Sequence, residues 1–183
     1  EVDRAATTFH VASEEARRLG GEVIPLDLAA HGKGRIAILR RFPLGPVSGI
    51  SPFNFPLNLS AHKIAPAIAA GNTMVLKPAS KTPLSALFLA AALDEVGLPK
   101  GALSVLPMSR DLGDRLVTDD RFKLLTFTGS SPVGWAMKAR AGKKKVVLEL
   151  GGNAGVIVDA SANLAYAAQR VVTGGFAYAG QSC

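Results

Sequence analysis

At 183 residues, 48% of them hydrophobic and 19% charged, the chain has the length and apolar content of one globular domain, which excludes intrinsic disorder and removes the need for a disulfide or metal staple. Its single cysteine, Cys183, can form no internal disulfide and supports no zinc-finger site. Glu1, Asp3, Arg4, Glu14 and Glu15 stand where a secretory signal would need an apolar core, so a cytoplasmic location is expected. The net charge of +7 is concentrated in two acid-free windows, 28–93 and 121–148, which suit an anionic ligand. With two Tyr, one Trp and neither a zinc-finger nor an RNP pattern, nucleic acid is not the expected partner.

In chain order, residues 2–19 carry helical periodicity and stop at Gly20-Gly21. Two extended segments, 22–28 and 35–42, flank the turn-rich 30–34 and read as an antiparallel pair. From residue 47 short β-branched runs at 47–50, 73–76, 103–106, 124–128 and 146–150 alternate with helix-length segments at 57–70, 83–96, 112–117 and 132–141. Gly71, Gly97 and Gly142 sit where three of those helices should end. Five strands joined by four crossovers predict an α/β fold with a doubly wound parallel sheet, which binds its ligand beyond the carboxyl ends of the strands. A further strand at 155–158 and a helix opening near Asp159 or Ser161 are expected before the tail Gly180-Gln181-Ser182-Cys183. Among the charge-free stretches, 43–62 is broken by Pro and Gly and does not read as a membrane span.

The segments just after the strands therefore carry the functional reading. They include Ser51-Pro52-Phe53-Asn54, Lys77-Pro78-Ala79-Ser80, Gly129-Ser130 and Glu149. A Lys or Glu at the end of a buried strand costs several kcal/mol unless it is paired or used. Gly129-Ser130 at a strand-to-helix junction suits a phosphate, although alone it reads first as an ordinary Ser N-cap. It is not a P-loop, because Trp135 stands where the Lys would be. By themselves Cys183 reads as a small inert hydrophobe, Asn54 as a turn residue and Glu149 as an ion-pair partner.

Five strings change that reading. Pro52-Phe53-Asn54-Phe55-Pro56, Ala70-Gly71-Asn72-Thr73 with Lys77-Pro78-Ala79, Phe127-Thr128-Gly129-Ser130, Leu148-Glu149-Leu150-Gly151-Gly152 and Gly180-Gln181-Ser182-Cys183 resemble, in order and approximate spacing, the aldehyde dehydrogenase superfamily across nearly the whole chain. The resemblance implies a Rossmann-like domain over 1–149, with 22–45 as a β arm for oligomerisation, and the start of a second α/β catalytic domain over 150–183. It also implies oxidation of an aldehyde to a carboxylic acid by NAD or NADP through a cysteine thioester, in a homo-oligomer, dimer or tetramer. Cys183 matches the nucleophile, Asn54 the oxyanion donor, and Glu149 the general base, a task that burial would favour. Lys77 and Ser80 match the ribose subsite, and Gly129 and Ser130 flank the pyrophosphate. Ile50, Ser51, Pro52, Phe53, Gly113, Val133 and Leu150 complete the expected cofactor contacts; no metal is implied.

The departures from the family pattern are informative. Ser80 stands where many NAD-preferring members carry Glu, so NADP should be tolerated, with Lys77, Lys81 and Arg110 near its 2′-phosphate. Pro107-Met108-Ser109-Arg110 replaces a Gly-containing turn, and Phe53 replaces a common Trp. Full members of the family continue beyond the nucleophile, so the chain resembles an internal piece with little activity alone. The competing readings are a non-catalytic nucleotide-binding module and a CoA-acylating semialdehyde dehydrogenase; Glu149 favours hydrolysis over the latter.

Overall fold

In the computed structural model, which describes residues 1–182, helix α1 (Val2–Arg18) ends where the two glycines were expected to stop it. Gly21 is required there by close approach: a Cβ would stand 2.0 Å from the Leu39 carbonyl oxygen. Strand β1 (Glu22–Pro25) pairs antiparallel with β2 (Ile36–Leu39), from Glu22 opposite Leu39 to Pro25 opposite Ile36. Both strands are shorter than the sequence suggested, because the chain turns after Leu26 into a 3-10 turn, Ala30–Gly32, and Asp27 Oδ1 accepts the Gly34 N–H at 2.8 Å.

The parallel sheet follows as β3 (Val47–Ile50), α2 (Asn58–Ala69), β4 (Met74–Lys77), α3 (Leu84–Glu95), β5 (Leu103–Val105), α4 (Arg110–Thr118), β6 (Leu124–Gly129), α5 (Ser131–Arg140) and β7 (Lys145–Leu150). Its strand order is β5-β4-β3-β6-β7, and every pair is parallel. The chain winds outward from β3 through β4 to β5, then returns to the other side of β3 as β6. The strand order reverses there, and a crevice opens at the carboxyl ends. Gly71 ends α2 at φ +72°, a left-handed position that any other residue would strain, and its N–H reaches Ile68 O at 2.8 Å.

Strand alternation gives the two faces different jobs. Val47, Met74 and Leu76 point to one face and form the core with Ile64 and Ala67 of α2 and Ala86 of α3. Complete burial of side chains such as Ile64 and Leu76 contributes roughly 1.5–3 kcal/mol each. On the other face Ser48 Oγ donates to Leu116 O of α4 at 2.8 Å. Phe127 lies against Gly134 of α5, where an added Cβ would be 3.2 Å from the ring.

After β7 the structure departs from the sequence reading. Residues 155–158 form no strand, since Val156 and Val158 are exposed and Ile157 is 98% exposed, with no neighbouring strand among the described residues to take up their backbone groups. The following helix, α6 (Leu164–Phe176), opens later than expected, at Asn163, whose Oδ1 accepts the Tyr166 N–H at 3.1 Å. Asp159 instead accepts from the N–H and hydroxyl of Ser161 in a local turn. No helix among the described residues is long and apolar enough to cross a membrane.

Candidate functional site

A cleft of about 660 Å³ opens at the carboxyl end of the sheet, on the α4/α5 side. From β3 it takes Ile50, Ser51, Pro52 and Phe53; from the end of β4, Lys77 and Ser80; from α4, Gly113; and from the β6–α5 junction, Gly129, Ser130 and Val133. Ten of the eleven residues expected to contact a cofactor thus share one cavity. The eleventh, Leu150, does not line it; its Cδ2 lies where a Cβ on Gly134 would be 2.4 Å away, so it packs behind α5 instead. Asp114 and Met137 line the cleft without having been singled out in the sequence.

The cleft is short of negative charge. Lys77 is buried, its Nζ reaches among the described residues only the Pro78 carbonyl oxygen, at 3.4 Å, and burial together with the nearby Arg110 guanidinium lowers its pKa. Lys81 sits over the Phe53 ring at 5.7 Å, bridging the loops after β3 and β4. The one lining carboxylate, Asp114, is held by Arg140, whose hydrogen bonds keep its carboxyl below the usual range. Ser130 precedes α5 in extended backbone geometry without capping it through its hydroxyl, so the positive end of the helix faces the cleft unscreened. Gly129 is a steric requirement, because a Cβ there would stand 2.5 Å from Cζ of Phe127. Gly129→Ala is therefore expected to cost about 1–3 kcal/mol by overpacking, read as a lower urea midpoint at unchanged m; an unaltered midpoint would contradict the packing.

Lys63 had drawn no functional role from the sequence, yet it is buried between α2 and β6. Its Nζ donates to Thr128 Oγ1 at 2.7 Å and Thr126 Oγ1 at 3.2 Å, and burial pushes its pKa down to about 8, opposed by the charge of Glu149. A signal was present, for Lys63 interrupts the small and apolar positions 60, 64 and 67 that form the inward stripe of α2. Glu149 stands opposite Thr128 in the sheet register, but its side chain is exposed. The burial expected to favour a general base is therefore absent here, because β7 is an edge strand with alternate residues facing outward.

Asn54 is gripped from the tail. Its Nδ2 donates to Gln181 O at 2.7 Å, and its own carbonyl oxygen accepts the Tyr178 hydroxyl at 2.7 Å. Its Oδ1 is buried without a hydrogen-bond partner among the described residues. Tyr178 and Ala179 both hold left-handed backbone geometry, at φ 55° and 51°. That geometry costs roughly 1–2 kcal/mol per non-glycine residue and persists only where surrounding contacts hold it. Cys183 lies outside the described residues.

Comparison with known proteins agrees with this geometry. The model of the aldehyde dehydrogenase family matches residues 1–183. The 3-sulfolactaldehyde dehydrogenase of Priestia aryabhattai is 46% identical over 184 residues, covering 100% of this chain and 39% of that protein. Among solved structures, aldehyde dehydrogenase 21 from Physcomitrella patens, in complex with the reaction product succinate, superposes with a TM-score of 0.93 at 59% identity, covering 100% of this chain and 38% of its own. NADP-dependent glyceraldehyde-3-phosphate dehydrogenase from Bacillus halodurans, complexed with NADP, gives a TM-score of 0.93 at 41% identity, with 100% and 39% covered. The chain thus spans about 39% of the length of the curated relatives it matches.

Proposed function

The chain belongs to the aldehyde dehydrogenase family, and from that premise we propose that the protein it comes from oxidises an aldehyde to a carboxylic acid with NAD or NADP, through a thioester on Cys183. The observation that carries this reading is the single carboxyl-end cleft in which Lys77, Ser80, Gly129 and Ser130 meet.

The residues fit a dinucleotide. Cations without carboxylate partners among the described residues line one end, and a helix N-terminus without a side-chain cap lies at the β6–α5 junction. A glycine, Gly113, stands where a Cβ would be 2.8 Å from Lys77 Cδ and would displace that side chain. Lys77 and Ser80 would hold the adenosine ribose, with Lys81 and Arg110 beside a 2′-phosphate, while Gly129 and Ser130 would take the pyrophosphate. When bound, NAD or NADP supplies the hydride acceptor.

The chain's own residues supply the rest. Cys183 attacks the aldehyde carbon as a thiolate, the form that carries a thiol's nucleophilicity. The Asn54 N–H not given to Gln181 stabilises the tetrahedral oxyanion together with the Cys183 backbone N–H. Glu149 takes the proton from the water that cleaves the thioester. Residues 150–183 form the beginning of the catalytic domain. The apolar side chains exposed on the β arm, Val23, Ile36 and Ile38 among them, support association into a homo-oligomer. The lone cysteine favours a cytoplasmic, reducing location.

The test expresses the complete reading frame, supplies an aldehyde panel with each cofactor, with and without CoA, and quenches in acid before peptide mass spectrometry. The expected result is reduced cofactor and carboxylate in equal amounts, with an acyl adduct on the peptide that holds Cys183. Cofactor binding without turnover or adduct would instead make the chain a nucleotide-binding module, and acyl-CoA as the sole product would replace hydrolysis by CoA transfer.

A further inference from the structure

We infer that Tyr178 is a positioning residue that sets the aim of Asn54, an inference that rests on the oxyanion role proposed above. The Tyr178 ring stacks on Phe55 with centroids 4.9 Å apart and planes 13° from parallel, while its hydroxyl donates to the Asn54 carbonyl oxygen at 2.7 Å. The Arg4 guanidinium lies 5.5 Å from the centroid of the same Phe55 ring, so both partners of the stack are held in place. One turn of the tail therefore fixes the loop carrying Asn54 through a ring and a hydrogen bond at once.

The same turn fixes the side chain. Three residues beyond Tyr178, the Gln181 carbonyl oxygen accepts from Asn54 Nδ2 at 2.7 Å. Flipping the carboxamide would bring Oδ1 against that carbonyl, oxygen facing oxygen, so the orientation is set by Gln181. One N–H of the amide is thereby committed and the other is left pointing in a single defined direction. Tyr178 and Ala179 hold their left-handed backbone in the turn that presents Gln181, and the Phe55 stack and the Asn54 hydrogen bond restrain that turn. Tyr178 thus acts at two removes from chemistry: it restrains the backbone of Asn54 directly and the carboxamide through Gln181.

A double-mutant cycle in the complete reading frame tests this, using the best aldehyde from the panel with NADP. Asn54→Ala is expected to lower kcat by about 10²–10³-fold, the usual cost of one oxyanion donor. Tyr178→Phe keeps the stack and removes the hydroxyl; it is expected to lower kcat about 3- to 10-fold, with KM for NADP changed by less than about twofold. Introduced into Asn54→Ala, Tyr178→Phe should add less than about a twofold loss, because the group it aims is gone. A Tyr178→Phe kcat within about twofold of wild type, or its full loss repeated on the Asn54→Ala background, overturns the positioning role alone. Wild-type activity in Asn54→Ala overturns the oxyanion assignment and the inference with it.

Discussion

Replacing Ser80 by glutamate is expected to lower the preference for NADP over NAD about ten- to a hundredfold. Ser80 lines the cleft with Lys77, Lys81 and Arg110, and Asp114, the only carboxylate in the lining, is already tied to Arg140. A carboxylate brought to Ser80 would face a 2′-phosphate of up to two negative charges. One like-charge pair at ~4 Å costs about 4 kcal/mol at an effective dielectric near 20. Screening and side-chain rearrangement reduce that to about 1–3 kcal/mol. NAD has no phosphate there and would gain an acceptor for its ribose hydroxyls, so its binding should hold or improve. The measurement is kcat/KM for both cofactors at one ionic strength, made on the complete reading frame. A ratio moving by less than twofold would mean that Ser80 does not face the ribose.

Raising the pH from 7 to 11 is expected to stabilise the wild-type fold by about 3 kcal/mol relative to Lys63→Met. Burial lowers the Lys63 pKa from 10.5 to about 8, so between those values the unfolded chain keeps a proton that the folded chain has released. Stability must rise with pH across that window, while below pH 8 the folded state carries the full cost of a buried ammonium. Lys63→Met removes the titration and leaves the other lysines and tyrosines in place, so the difference between the two proteins isolates it. Urea melts at pH 7, 8, 9, 10 and 11 give the comparison. A difference that stays flat would show Lys63 to be solvated rather than wedged against Thr126 and Thr128.

The sheet and most of the cleft were legible because local signals coincide there with the tertiary answer. Each of the first four β-branched runs from 47 onward leads to a turn and a helix, and Gly71 adopts the left-handed geometry that a helix-ending glycine implies. A doubly wound sheet binds its ligand beyond the ends of its strands, which pointed to the segments after them, and the family resemblance assigned residues of those segments to one cofactor cleft before their contacts were known. The run Val156-Ile157-Val158 carries the same β-branched signature and forms no strand. A strand needs a partner as well as a propensity, and none of the described strands lies beside it.

What the sequence determined by itself was the order of elements, their stops and the end of the sheet where chemistry gathers, since periodicity, turn residues and crossover handedness act over short stretches of chain. The tertiary structure alone decided which way individual side chains face and whom they meet. It turned Leu150 behind α5, left Glu149 exposed on an edge strand, wedged Lys63 beneath two threonines 63 and 65 residues away, and placed Tyr178 against a loop 124 residues earlier. Those contacts depend on which strand lies at an edge and which helix crosses above it, and such facts are settled only when distant segments pack against each other.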